Sequence, residues 1–286
     1  MASNLQQVWW WVLIGAALHA AWNALVKSGQ RRHVVLAFMR LNAALLSLPL
    51  LIAWGWPSAA AWPYLLASAS IHFVYYRLLA LAYEQGDLVV VYPLMRGLAP
   101  LVVSGLAWGV LGERLHTVAW LGVALISLGV LRLGALAWRQ AGGRASGVGV
   151  AVLNAMVIAA YTLVDAQGVR VNGDPWSYVL AQALVDAPPF LLWVWWRERR
   201  SVDSWWQMWR SECWVGLGAA VASLLSYGVA LWAMTRAPVA VVAALRETSM
   251  LFALLLGAWR WRESLSWARI AAVVLISAGV AGMRMA

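Results

Sequence analysis

Charge is scarce in this chain. Of its 286 residues only 11% are Asp, Glu, Lys or Arg, whereas 64% are hydrophobic, and so few polar groups cannot cover a water-facing surface of this size. An ordinary soluble enzyme is thereby excluded. Cysteine is almost missing: the single Cys213 rules out an internal disulfide framework and a thiolate metal cage. There is no glycine-rich loop ending in Lys-Ser or Lys-Thr to cradle nucleotide phosphates, the four histidines show no paired metal-ligand spacing, and no Ser/His/Asp set stands out. No catalytic residue, metal or cofactor is therefore expected, nor ATP hydrolysis by this chain. The basic excess, 21 Lys and Arg against 11 Asp and Glu, sits in short groups between apolar runs. It forms no continuous face of the kind nucleic acid requires, so it reads as orientation in a lipid bilayer.

What the sequence has in abundance is long uncharged runs, such as residues 5–26, 41–76 and 213–235. Each exceeds the roughly 18 residues that cross the ~30 Å hydrocarbon layer. Reading such runs against charged or Pro/Gly-rich interruptions gives ten spans: 8–26, 34–53, 64–83, 88–111, 118–133, 148–168, 176–196, 214–234, 239–259 and 267–283. All are expected to be helical, because lipid offers no partner to unpaired backbone groups. The N-terminus lacks the basic start and small-residue cleavage site of a secretory signal, so the first run is expected to remain a membrane helix. Many of the 22 tryptophans stand where runs end, among them Trp9 to Trp11, Trp54, Trp56, Trp62, Trp205, Trp206, Trp259 and Trp261. An indole is apolar in body and polar at its N–H, which suits the membrane interface. Residues 197–210 read as a loop carrying a short surface helix.

The clearest linker, residues 139–147, falls near the midpoint and divides the chain into halves 1–138 and 148–286 of one membrane domain. Sliding the chain along itself until Arg96 meets Arg246 aligns residues 78–133 with 228–283. Glu113 then falls on Glu263, Leu125-Ile126-Ser127 on Leu275-Ile276-Ser277, and Gly129 on Gly279. Five helices per half is an odd number, so the second half enters the membrane in the opposite sense. The fold class expected is an all-α integral membrane protein of ten transmembrane helices arranged as a 5+5 inverted repeat.

These residues resemble the EamA-type transporters of the drug/metabolite transporter superfamily. The resemblance is carried by His19 to Lys27, by Arg40, by Ala82-Tyr83, and by the run from Tyr92 through Pro100 to Gly112-Glu113-Arg114-Leu115. It continues in the small-residue helix from Gly122 to Gly129, in Ala160-Tyr161-Thr162-Leu163-Val164-Asp165, in Arg246 through Glu263, and in Leu275 to Gly279. Two departures weaken the expectation that the ninth helix is interrupted like the fourth. Met250 stands opposite Pro100, and Trp261-Arg262-Glu263 lacks the glycine before glutamate. The resemblance implies export of a small molecule across a bacterial inner membrane.

The residues that point to a site are ionisable groups inside spans, each costly unless it faces a polar cavity or a partner. Arg96 and Arg246 lie about eight residues, or ~12 Å, into their helices. Pseudo-symmetry should bring them together, where a substrate carboxylate or phosphate could lie between two guanidiniums. Glu247, Asp165 or Asp186 could instead compensate them. Pro93 and Pro100 flank Arg96 and remove helical hydrogen bonds, and Pro188-Pro189 follow Asp186, so the fourth and seventh helices are the ones expected to bend. His19, Trp22 and Asn23 in the first helix, with Tyr161 and Asp165 in the sixth, could line a cavity. His72, Tyr75, Tyr76 and Arg77 add polar character in the third. Asp165, Asp186, Glu84 and Glu247 are the carboxylates able to carry a coupling proton, and Asp165 is the better candidate because Glu247 adjoins an arginine. Gly105, Gly109, Gly112, Gly122 and Gly129 suit close helix packing.

The reading is a secondary transporter of a small metabolite, such as an amino acid, a related zwitterion or an organic anion, working by alternating access. A drug or organic-cation exporter, a channel and a membrane-embedded enzyme remain as alternatives. The loops after odd-numbered helices hold most Lys and Arg, from Lys27, Arg31 and Arg32 to Arg260 and Arg262. The positive-inside rule then puts both termini outside, whereas the family resemblance implies cytoplasmic termini.

Overall fold

Each apolar run becomes a helix in the computed structural model, which describes residues 2–29, 31–85, 88–140, 147–199, 205–261 and 267–284. In order these are α1 (Ala2–Ser28), α2 (Arg32–Trp54), a 3-10 turn (Ala59–Ala61), α3 (Trp62–Gln85), α4 (Leu88–Leu111), α5 (Thr117–Gln140) and α6 (Val148–Asn172). They are followed by α7 (Pro175–Glu198), α8 (Trp205–Met234), α9 (Val239–Arg246), α10 (Ser249–Trp261) and α11 (Trp267–Arg284). Among the described residues, nine helices are long and apolar enough to span a bilayer. The ninth of the ten passages is made in two pieces, α9 and α10. The chain is an all-helical, multi-pass membrane protein of ten passages in two five-helix repeats. Residues 141–146 of the expected linker lie outside the described residues.

Two local outcomes differ from the pattern read in the sequence. The fourth helix, with Pro93 and Pro100 inside it, runs unbroken from Leu88 to Leu111, while the ninth passage breaks at Glu247–Thr248 without a proline nearby. The backbone at the break is satisfied by tight bonds three residues back: Glu247 N to Ala244 O at 3.0 Å, Thr248 N to Leu245 O at 3.1 Å, Met250 N to Glu247 O at 3.0 Å. Thr248 Oγ1 also donates to Leu245 O at 2.7 Å. Such an irregularity persists at membrane depth only where protein or a cavity surrounds it. The second difference is that residues 205–210 are the opening turns of α8, not a separate surface helix; no Gly or Pro stands between Trp205 and Trp214 to end the helix.

The packing follows the inverted repeat. Pairing the halves as α1 with α6, α2 with α7, α3 with α8, α4 with α9–α10 and α5 with α11, the contact of α1 on α8 has its counterpart in α6 on α3. That of α4 on α6 has its counterpart in α9 and α10 on α1, and α2 lies against α7 and α5 against α11. The α5–α11 contact is close because of glycine: a Cβ on Gly279 would stand 2.7 Å from the Gly122 carbonyl oxygen, and one on Gly129 would stand 2.9 Å from that of Ala272. Gly105 and Gly109 do not share this role, having open space beside them, and Gly112 serves a turn at φ +67.

The apolar core falls into two clusters. One, with Val26, Val34, Leu79, Val194 and Met208, lies toward the face where α1 turns into α2. The other, with Val12, Leu51, Leu65, Val169 and Met234, lies toward the opposite face, where α2 leads into α3. Trp10, Trp11, Trp54, Trp56 and Trp206 are exposed at helix ends, as interfacial indoles should be. The side chains of Trp205, Trp259 and Trp261 lie outside the described residues.

Candidate functional site

Polar side chains collect between the two apolar clusters. They surround a hollow of about 50 Å³, lined from α1 by His19 and Trp22, from α2 by Arg40, from α3 by His72, Tyr75 and Tyr76, from α6 by Tyr161, from α7 by Gln182 and Asp186, from α8 by Tyr227 and from α9 by Arg246. At roughly 10–15 Å³ per water, that space suits a few water-sized groups. A metabolite can fit only if helices move apart.

One wall is a line of stacked rings and charges. Tyr161 stacks on His72 with centroids 4.2 Å apart, and the Arg40 guanidinium lies 4.4 Å over the Tyr76 ring. Arg40 Nη1 is 3.6 Å from Asp186 Oδ2, an ion pair longer than a hydrogen bond. His72 Nδ1 lies 3.0 Å from Ser68 Oγ, 3.2 Å from Gln182 Nε2 and 3.7 Å from Asp186 Oδ2. On the other wall Arg246 lies 5.3 Å over the ring of Tyr227, whose hydroxyl donates to Asp165.

Asp165 sits just behind the lining and has no solvent exposure. It accepts from Tyr178 at 3.0 Å and from Gln182 Nε2 at 3.1 and 3.2 Å. Arg96 is likewise withdrawn from the hollow. Its Nε donates to Glu247 Oε2 at 2.9 Å, and Nη2 stands 2.9 Å from Oε1, close enough for an ion pair but misaligned for a hydrogen bond. Of the two arginines expected to face one cavity, Arg246 lines it, and Arg96 meets the neighbouring carboxylate Glu247 instead. Asn23 donates to the His19 carbonyl at 2.8 Å and Trp22 to His19 Nδ1 at 3.3 Å; Asn23 is not among the lining residues. Arg77 points away, exposed over Phe73 and Trp193. The side chain of Glu84, and Glu263, lie outside the described residues.

Four atoms around the hollow are buried without a hydrogen-bond partner among the described residues: Arg40 Nε, Arg246 Nε, Asp186 Oδ1 and Gln182 Oε1. Two can only donate and two can only accept. Arg40, Gln182 and Tyr227 were not singled out as site residues from sequence. Arg40 meets the same test as Arg96, a guanidinium eight residues into its helix. Gln182 and Tyr227 carry no comparable signal, because uncharged polar residues recur along these spans.

The two faces are tied by related contacts. At the corner before α2, Arg31 Nη1 and His33 Nε2 reach Glu198 at the end of α7, at 3.0 and 2.8 Å. At the corner before α7, its counterpart, Asp174 accepts from Trp54 at the end of α2 at 3.1 Å, and Asn172 accepts from Ser58 N at 2.8 Å. Asp174 also caps α7, accepting from Trp176 N and Ser177 N. Burial raises its carboxyl, but these bonds from Ser177, Trp176 and Trp54 outweigh it and hold the group below the ordinary Asp range. Glu113 binds Arg170 at 2.6 Å and Val239 N at 2.8 Å on the same face.

A model of the EamA-like transporter family matches the chain twice, over residues 8–134 and 145–285. A protein of known crystal structure superposes with a TM-score of 0.74 at 19% identity, covering 98% of this chain and 96% of its own; at that identity the likeness shows the fold alone. No curated protein matches the sequence.

Proposed function

The chain belongs to the EamA-like transporter family, and we propose that it is a secondary transporter, an exporter, of a small metabolite with an acidic group, such as an amino acid, a related zwitterion or an organic anion. The observation that carries this reading is the set of unpartnered atoms around the hollow. A buried polar atom left unmade costs about 1–3 kcal/mol, so four around one space mark where a ligand restores the bonds. Arg40 Nε and Arg246 Nε suit a carboxylate. Asp186 Oδ1 and Gln182 Oε1 suit an ammonium or hydroxyl. Tyr161, His72, Trp22 and Tyr76 supply walls for the remainder of the molecule. An organic cation is less well served, because guanidiniums already lie over the Tyr76 and Tyr227 rings and would repel it.

The two apolar clusters, one toward each face, support alternating access over a continuous channel. Each half, residues 1–138 and 148–286 joined by 139–147, rocks against the other about the hollow, so that one cluster separates while the other stays closed. The contact of Arg31 and His33 with Glu198 latches one face, and that of Trp54 with Asp174 the other. The substrate's own gradient supplies the work of export, a proton is the coupled ion, and the bacterial inner membrane is the setting the family resemblance favours. The test is uptake into proteoliposomes of labelled L-alanine, L-phenylalanine, succinate and tetraethylammonium, by wild type, Arg246→Ala and Arg40→Ala. Loss of a charge-assisted hydrogen bond of about 1.5–3 kcal/mol predicts about 10- to 100-fold weaker apparent affinity for the carboxylates. Equal transport by all three proteins, or uptake of the cation alone, overturns the reading.

A further inference from the structure

The buried charges of the hollow do not all pair. Arg96 is matched by Glu247 and Arg40 by Asp186. Among the described residues, Arg246 and Asp165 have no oppositely charged side chain within ion-pair distance. Both touch the same residue: the guanidinium lies over the Tyr227 ring, and the Tyr227 hydroxyl donates to Asp165. An unpaired cation and an unpaired anion thus balance each other across one phenol.

Resting on the transport reading, we propose that Asp165 is the proton-binding site of this transporter, loaded when the acidic end of the substrate docks on Arg246, with Tyr227 linking the two events. A carboxylate bound at Arg246 neutralises the cation that lies across Tyr227 from Asp165, leaving the buried anion without that compensation in low dielectric, where taking a proton is the cheaper state. The proton comes from water on the open face and goes to one Asp165 oxygen. No bond in the substrate changes, and the load gains one negative and one positive charge together. Substrate and proton therefore favour the same state and leave together, so export runs down the substrate's own gradient and carries a proton out with it.

The surroundings of Asp165 fit this role. From α7, Tyr178 and Gln182 donate to it, and Asp186 is close enough to act on it electrostatically. From α3, Ser68 reaches the same carboxylate and touches His72 Nδ1, which borders the hollow, giving a hydroxyl between the cavity and the acid. Tyr161 on its own helix feels its charge. Arg96 on α4 is engaged by Glu247, and Arg40 on α2 by Asp186. None of these supplies a cation in contact with Asp165.

Infrared difference spectra of the full chain in liposomes test the site directly. A pH step without solute should reveal a carboxylic C=O band that is lost in Asp165→Asn, and adding L-alanine or succinate at constant pH should enlarge it. In Tyr227→Phe, which keeps the ring under Arg246, the solute-induced gain should fall severalfold. In transport, a pH gradient should drive accumulation of about tenfold per pH unit for one proton per substrate, and the ratio of uptake with and without the gradient should drop to one in Asp165→Asn. A band that survives in Asp165→Asn, or that ignores a solute the wild type transports, overturns the proton site. A band that behaves as expected with no transport of any probe overturns the transport reading and leaves the proton on Asp165.

Discussion

Arg96 and Glu247 close on each other across the two repeats, 2.9 Å apart at both contacts and each only a few per cent exposed. The glutamate is presented by the break between α9 and α10. The pair fastens the middle of α4 to the interrupted passage, beside the hollow rather than inside it.

Removing one member leaves the other charge buried alone, so Arg96→Ala or Glu247→Ala should each destabilise the protein by about 3–5 kcal/mol. The double variant Arg96→Met with Glu247→Leu should recover most of that loss. Thermal unfolding in detergent measures both. An unchanged unfolding temperature in Arg96→Ala would mean that the arginine faces ligand rather than its partner.

The contact of Arg31 and His33 with Glu198 closes only one face. A partly exposed pair of this kind contributes up to about 1 kcal/mol, so Glu198→Gln should raise the population open to that face about fivefold. With Cys213→Ser and Ala43→Cys in the hollow lining, a membrane-impermeant thiol reagent applied from that side should label faster by the same factor. Asp174→Asn should not speed labelling from that side.

Asp174 should confer a pH-dependent margin. Its folded carboxyl lies below the ordinary Asp range, so its stabilisation is complete above the unfolded value near 4 and is lost as pH falls through the lower, folded value. Asp174→Ala removes an N-cap, at about 1 kcal/mol. Unfolding temperatures of wild type and variant should therefore differ at pH 6 and converge on acidification; a gap that widens with acid contradicts the capping role.

Where α5 and α11 meet, a side chain at Gly279 collides with the Gly122 backbone. Gly279→Leu should destabilise by about 1–3 kcal/mol, the usual cost of overpacking. Gly105→Leu, with nothing within 4 Å of its Cβ, should have little effect. Comparing expression and unfolding temperature of the two separates packing glycines from lipid-facing ones.

The site was legible where its signal was a charge in an apolar run. Arg246, Asp165 and Glu247 announce themselves because an ion at membrane depth needs a reason, and Arg40 would have met the same criterion. Gln182 and Tyr227 were not legible, since an uncharged polar residue in a span has many satisfied uses. The break at Glu247–Thr248 was hidden for another reason: prolines pointed to α4, yet α4 stays continuous and the proline-free ninth passage yields.

The sequence by itself determined the class of molecule, the ten passages and their inverted duplication, because hydropathy and helix length answer to the bilayer locally and a repeat is written in the order of residues. Only the tertiary structure decided which charges marry. Arg96 with Glu247, Arg40 with Asp186, and Arg246 facing Asp165 across Tyr227 are choices among several carboxylates at similar depth. Depth is set along one helix, whereas partnership is set by how neighbouring helices rotate and pack.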